Sequence, residues 1–145
     1  TVPEELARSA ALLDSCVAEL RAAGIACARP PLGIMVEVPA VAVAPELFSA
    51  AAFFSIGSND LTQYVTASSR EDQRVAALND AGHPAVARLI AGVAAHGREA
   101  SIPVSLCGDM ASDTRHLPAL IGAGLKSLSV APARLARVKA AIAEL

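Results

Sequence analysis

Two short apolar runs that each lead into a carboxylate constrain this chain more than any other feature of its sequence. The first run, residues 34–36, precedes Glu37, and the second, residues 53–57, precedes Asn59 and Asp60. A continuous apolar run of this length is typical of a parallel β-strand that is covered on both faces. An ionised carboxylate at the end of such a strand needs a compensating charge nearby. The sequence therefore predicts that Glu37 and Asp60 share a cation.

The composition excludes several functional classes. The net charge of -2 provides no basic stripe, which argues against a nucleic-acid partner. No apolar run approaches the roughly 20 residues that span a bilayer, so we expect no membrane insertion. The three cysteines have no metal-ligand spacing, which favours a reducing, cytoplasmic environment. The chain begins at Thr1 without a methionine, which suggests a segment of a longer protein.

Predicted helices and strands alternate along the chain, and this pattern indicates an α/β fold with a parallel sheet. One helix is followed by four strand–helix units, as in an open doubly wound sheet or in a (β/α)8 TIM barrel. A full barrel takes about 250 residues, so four units would form about half of one. The predicted strands are residues 32–38, 53–57, 103–107 and 125–130; the predicted helices are residues 1–24, a short helix at Pro45, residues 84–100, one with Asp113 as its N-cap, and one beginning at Pro132.

Polar and reactive residues follow the predicted strands, where both architectures place their ligand sites. Glu37 and Asp60 are candidate Mg²⁺ ligands, although each could instead cap a helix or pair with an arginine. Arg70 could hold a phosphate or carboxylate group, or it could be a solvated loop arginine. Cys107 follows a strand and could act as a general acid–base group, or it could be an inert core cysteine.

Four segments of the sequence resemble one known family. They are residues 33–39, 53–64, 83–86 and 107–110, and the string Ser-Ile-Gly-Ser-Asn-Asp-Leu-Thr-Gln-Tyr at residues 55–64 is the most specific. Together they resemble the phosphoenolpyruvate-binding domain of the phosphoenolpyruvate-protein phosphotransferases, the Enzyme I family of the bacterial sugar phosphotransferase system. The resemblance runs from the first helix to the end of the chain. It implies that residues 1–145 are the C-terminal half of a (β/α)8 barrel.

The resemblance also implies roles for individual residues. Glu37 and Asp60 correspond to the Mg²⁺ ligands, and Asn59 and Asp60 to residues at the phosphoenolpyruvate site. Arg70 corresponds to an arginine that clamps the phosphate. Cys107 is similar to the cysteine that exchanges a proton with the methylene carbon of the enolpyruvate. The family usually carries Glu where Asp109 stands.

In that family the phosphoryl group passes to a histidine on another domain and then to a phosphocarrier protein. The enzyme is a homodimer through this domain. Because the family's phosphoacceptor histidine and the first half of the barrel have no counterpart in this sequence, we expect the chain alone to be catalytically incomplete. The first strand of a half-barrel would expose an apolar edge, so we also expect the chain to self-associate. Two alternatives remain open: a Mg²⁺-dependent lyase or aldolase of the phosphoenolpyruvate/pyruvate barrel superfamily, and a non-catalytic module for ligand binding or dimerisation.

Overall fold

Four short parallel strands form a sheet in which every strand lies beside the next one in the sequence. The computed structural model describes all 145 residues. Its strands are β1 (Ile34–Val36), β2 (Phe54–Gly57), β3 (Val104–Cys107) and β4 (Ser127–Leu128), in the order β1-β2-β3-β4. A doubly wound sheet reverses its strand order at a switch point, whereas a barrel adds each strand beside the last. The observed order is therefore that of a partial (β/α)8 barrel, as the resemblance implied.

Six α-helices connect or flank these strands. Five of them begin with proline at one of their first two positions, where the missing N–H removes no intrahelical hydrogen bond. None is long and apolar enough to cross a membrane. The helices are α1 (Pro3–Ala22), α2 (Pro39–Val43), α3 (Ser58–Thr66), α4 (Pro84–Glu99), α5 (Leu117–Gly122) and α6 (Pro132–Ala143).

The helices cover one face of the sheet, and the core lies between the two layers. Val36, Ile56 and Leu106 are in register on β1, β2 and β3 and are fully buried on this face. Residues of α2, α3 and α4 pack against them to complete a cluster of 18 buried residues. Burial of each large aliphatic side chain in such a cluster contributes about 1.5–3 kcal/mol to folding.

The opposite face of the sheet is open and carries small polar side chains. Met35, Ser55, Ser105 and Ser127 form one row across the four strands. The Met35 side chain is 46% exposed. The prediction that these strands are covered on both faces is therefore wrong for this chain, because only the helix-covered face has an apolar partner. Successive side chains point to opposite faces of a strand, so this row marks the inward face of the barrel.

Other predictions also need correction. Helix α3 was not predicted. Asp60 lies in the first turn of this helix and not, as had been expected, at the end of a strand. Asp113 is not an N-cap, since α5 begins at Leu117 after His116. The Asp113 carboxylate instead accepts hydrogen bonds from the backbone and side chain of Arg115. The first and fourth strands are shorter than predicted, and the last one pairs only with β3.

The terminal helices also contribute less to the core than their apolar faces predicted. In α1 only Val17 is buried, and in α6 only Val138. Leu135 on α6 is 50% exposed, and Leu20 on α1 is 40% exposed. Part of each predicted apolar stripe therefore faces solvent.

Candidate functional site

The candidate residues on β1 and β2 meet at the carboxyl edge of the sheet because Gly57 has no side chain. A Cβ atom placed on Gly57 would lie 2.8 Å from Glu37 Oε2 and 3.2 Å from Met35 Sδ. The absent side chain therefore leaves room for the Glu37 carboxylate to lie across the end of β2. Glu37 itself follows β1 directly and is half-buried.

Cys107 ends the neighbouring strand at the same level, in register with Gly57. Its Sγ donates a hydrogen bond to the carbonyl oxygen of Ile56 over 3.5 Å and lies 3.8 Å from Met35 Sδ. The Ser55 hydroxyl donates to the same sulfur over 3.7 Å. Because Glu37 and Met35 both border the space above Gly57 and Met35 also lies beside Cys107, the thiol and the Glu37 carboxylate flank one small region of the open face.

The first turn of α3 is tied to the segment that follows β3 by three hydrogen bonds. The Ser58 hydroxyl donates to the carbonyl oxygen of Cys107 over 2.7 Å. The Asp109 backbone N–H donates to Asn59 Oδ1 over 2.9 Å, and Asn59 Nδ2 donates to Asp109 Oδ2 over 3.1 Å. Since Asp60 is the next residue in this turn, the same contacts hold its backbone at the carboxyl edge.

The two predicted metal ligands are half-buried carboxylates without a protein partner. Glu37 and Asp60 take part in no side-chain hydrogen bond and no ion pair. No group of three or more His, Cys, Asp and Glu side chains could hold a metal ion. Mg²⁺ is commonly held by one or two carboxylates, with water and substrate phosphate as its other ligands. The donor set therefore fits Mg²⁺ better than it fits a metal that needs an all-protein cage.

Arg70 lies on a separate loop, away from the strand ends that carry the other predicted site residues. It is exposed and lies in the loop after α3, which ends with Ala67 in a left-handed conformation at φ 51°. Its backbone N–H donates to Gln63 Oε1 over 3.4 Å, and its guanidinium has no hydrogen-bond partner. The structure thus groups Glu37, Asn59, Asp60 and Cys107 at one edge and leaves Arg70 on an adjoining loop.

None of the three histidines belongs to this group. His83 Nδ1 accepts a hydrogen bond from the Ala85 backbone N–H at the start of α4. The His96 ring stacks on Phe54 with a centroid separation of 6.1 Å. His116 lies 3.8 Å from the Asp113 carboxylate. Each of the three rings thus has a structural partner.

Comparisons with known proteins show the family to which the chain belongs. The family model described as "PEP-utilising enzyme, PEP-binding domain" matches residues 1–145, so the chain belongs to the family of phosphoenolpyruvate-utilising enzymes. The phosphoenolpyruvate-protein phosphotransferase of Haloferax volcanii is 42% identical over 142 residues, which are 97% of this chain and 25% of that protein. The phosphoenolpyruvate-dependent phosphotransferase system protein of Salmonella typhimurium is 41% identical over 117 residues, 80% of this chain and 16% of that protein.

The chain thus spans about a quarter or less of the length of these relatives. Among solved structures, a HpcH/HpaI aldolase/citrate lyase family protein from Burkholderia cenocepacia superposes with a TM-score of 0.54. It is 21% identical in sequence, and the match covers 80% of this chain and 42% of that one. At this identity the likeness supports the fold alone, and it agrees with a partial barrel.

The sequence reasoning missed two residues of the site. Ser55 contacts the Cys107 sulfur, and the carboxylate of Asp109 contacts Asn59. The alternation of small polar residues on β2 and β3 could have identified Ser55 as a residue of the open face. No local signal could have paired Asp109 with Asn59, because 50 residues separate them.

Proposed function

We propose that residues 1–145 form the C-terminal half of a phosphoenolpyruvate-binding (β/α)8 barrel domain in a phosphotransferase. The parent activity would transfer the phosphoryl group of phosphoenolpyruvate to a histidine on another domain, and from there to a phosphocarrier protein. The observation that carries this proposal is the pair of unpartnered carboxylates, Glu37 and Asp60, beside Asn59 and Cys107. The match of the whole chain to a phosphoenolpyruvate-binding family supports the choice of substrate.

The residues at the carboxyl edge suit an enol phosphate. Glu37 and Asp60 would hold Mg²⁺, which when bound neutralises charge on the phosphate. Phosphoryl transfer depends mainly on positioning and on electrostatic stabilisation, and the remaining N–H of Asn59 Nδ2 can donate to a phosphate oxygen. Arg70 lies on a loop from which a planar guanidinium could bind the same group.

Cys107 would supply the proton chemistry. After phosphoryl transfer the enolate of pyruvate needs a proton on its methylene carbon, and a thiol at the strand end can deliver it. In the reverse direction the thiolate would remove that proton again. Two hydrogen bonds fix the position of the sulfur. One is accepted from the Ser55 hydroxyl over 3.7 Å, and the other is donated to the Ile56 carbonyl oxygen over 3.5 Å.

Calorimetric titration of this chain with phosphoenolpyruvate in the presence of Mg²⁺ tests the proposal. We expect Glu37→Ala to abolish the Mg²⁺-dependent part of binding, because one of two metal ligands is lost. Cys107→Ala should bind normally, because the thiol acts only after the substrate is in place. Glu46→Ala is a matched control, since this exposed glutamate lies away from the carboxyl edge in a 3₁₀ turn.

Absence of Mg²⁺-dependent binding in the native chain would refute the proposal for this chain. Equal binding by the native chain and by Glu37→Ala would refute the metal assignment. Normal exchange of the methyl protons of pyruvate with solvent in Cys107→Ala, in the presence of Mg²⁺, would refute the role of the thiol.

A further inference from the structure

The Asp109 side chain makes a specific contact with Asn59, the candidate phosphate-binding residue. It is an exposed residue on the 3₁₀ turn that follows β3. Its carboxylate accepts a hydrogen bond from Asn59 Nδ2 over 3.1 Å, and its own backbone N–H donates to Asn59 Oδ1 over 2.9 Å. It takes part in no ion pair, although the neighbouring Asp113 is paired with Arg115. The polar contact of the Asp109 side chain is therefore with Asn59.

These two hydrogen bonds fix which way the Asn59 amide faces. A carboxylate only accepts hydrogen bonds, so it can face only the amide nitrogen. A backbone N–H only donates, so it can face only the amide oxygen. If the Asn59 amide were flipped, both contacts would become repulsive. Asp109 thus selects one of the two orientations that an isolated asparagine would populate.

Gly108 allows this contact to be close. A Cβ atom on Gly108 would lie 2.8 Å from Asn59 Oδ1 and 2.4 Å from Ser58 Oγ. The amide therefore packs directly against the backbone that leads from Cys107 to Asp109. With one N–H engaged by Asp109, the second N–H of Nδ2 is the remaining hydrogen-bond donor of the Asn59 amide.

We propose that Asp109 is a positioning residue that directs this second N–H of Asn59 towards the phosphate of the bound substrate. The proposal rests on the proposed function, because it takes Asn59 to be a phosphate-binding residue. It adds that the carboxylate acts through Asn59 and does not touch the substrate itself. The negative charge of Asp109 would by itself repel an anionic substrate, so only its contact with Asn59 can favour binding.

The sign of this effect makes the experiment decisive. Replacing Asp109 by Ala removes a negative charge, which by electrostatics alone would strengthen binding of phosphoenolpyruvate. The positioning role predicts the opposite, a loss of affinity of about tenfold, because a misoriented donor loses its hydrogen bond to a charged group. Asp113→Ala is the matched control, since it removes the same charge from the same segment without touching Asn59. Its affinity should be unchanged or slightly higher.

Two further variants separate positioning from a general structural effect. In an Asn59→Ala background, Asp109→Ala should cause no additional loss of affinity, because its partner is already absent. Asp109→Glu keeps a carboxylate and should recover part of the affinity that Asp109→Ala loses. Unchanged or tighter binding of phosphoenolpyruvate by Asp109→Ala would overturn the proposal. The proposal would also fail if Asp109→Ala lowered the affinity as much in the Asn59→Ala background as it does in the native chain.

A measurement without ligand distinguishes failure of this inference from failure of the proposed function. The side-chain amide protons of Asn59, observed by ¹⁵N NMR, should exchange with solvent several-fold faster in Asp109→Ala and at the native rate in Asp113→Ala. Unchanged exchange in Asp109→Ala would overturn the positioning role even if phosphoenolpyruvate binds. If the native chain binds no phosphoenolpyruvate, the proposed function fails, and the substrate role of Asp109 fails with it. In that case faster exchange would still support the selection of one amide orientation.

Discussion

Replacement of Gly108 by alanine should destabilise the protein more than any other single glycine substitution near the site. Gly108 has φ 92° and ψ -177°, a backbone region that is essentially restricted to glycine. Placing another residue there costs about 1–3 kcal/mol of backbone strain. The new Cβ would also lie 2.4 Å from Ser58 Oγ and 2.8 Å from Asn59 Oδ1, so both side chains must move.

Movement of these side chains breaks two hydrogen bonds that tie α3 to the end of β3. They are the bond from Ser58 Oγ to the Cys107 carbonyl, 2.7 Å long, and the bond from the Asp109 N–H to Asn59 Oδ1, 2.9 Å long. Each contributes about 0.5–1.5 kcal/mol. Together with the strain, the expected loss in the free energy of unfolding is about 2–6 kcal/mol. This is a large part of the 5–15 kcal/mol that is usual for a folded domain.

Gly24→Ala provides a control that isolates the backbone strain. Gly24 also has a positive φ, 74°, but a Cβ atom placed there would meet no atom within 4 Å. This substitution should therefore cost only about 1–2 kcal/mol, the usual penalty for a left-handed residue with a side chain. Urea unfolding followed by circular dichroism gives the free energy for both variants. An equal loss in the two variants would contradict the argument, since it would show that the contacts with α3 contribute nothing.

Two other properties can be predicted. Arg115 donates hydrogen bonds to Asp113 from its side chain and its backbone, and these hold the pKa of the Asp113 carboxyl well below its usual range. The pair therefore stabilises the fold above a pH of about 4, and this stabilisation is lost as the pH falls further. Asp113→Asn should lower the free energy of unfolding by up to about 1 kcal/mol at pH 7, and it should weaken the dependence of that free energy on acid pH, measured by urea unfolding. An unchanged dependence on acid pH would contradict this prediction. The open edges of β1 and β4 should cause self-association in sedimentation experiments, and a monodisperse monomer at high concentration would contradict that expectation.

The order of helices and strands was predictable because local features determine it. Proline opens α4 and α6 at the predicted residues, and apolar runs mark β2 and β3 to within one residue. The carboxyl edge was predictable as the location of the site because parallel strands bring their carboxyl ends together. Apolar content alone could not show that one face of each strand is open. That property depends on which faces the helices cover, and the row of Ser55 and Ser105 was the local sign of it.

The geometry within the site was not predictable, since it depends on contacts between distant segments. Helix α3 begins at Ser58 directly after β2, and its first turn contains both Asn59 and Asp60. Its position is set by Gly108 and Asp109, about 50 residues further along the chain. A sequence pattern of short range cannot report a hydrogen bond of this separation.

The open face and the unpartnered carboxylates are two aspects of one physical situation. Glu37 and Asp60 are half-buried, so water still reaches each carboxylate and limits the cost of desolvating its charge. A further polypeptide segment that covers the row of Met35, Ser55 and Ser105 would exclude water, lower the local dielectric constant and raise this electrostatic cost. A bound cation would then offset the two negative charges. If Glu37 and Asp60 hold Mg²⁺ as proposed, covering the face and binding the cation should favour each other, and the covered sheet should bind Mg²⁺ more tightly than the open sheet does.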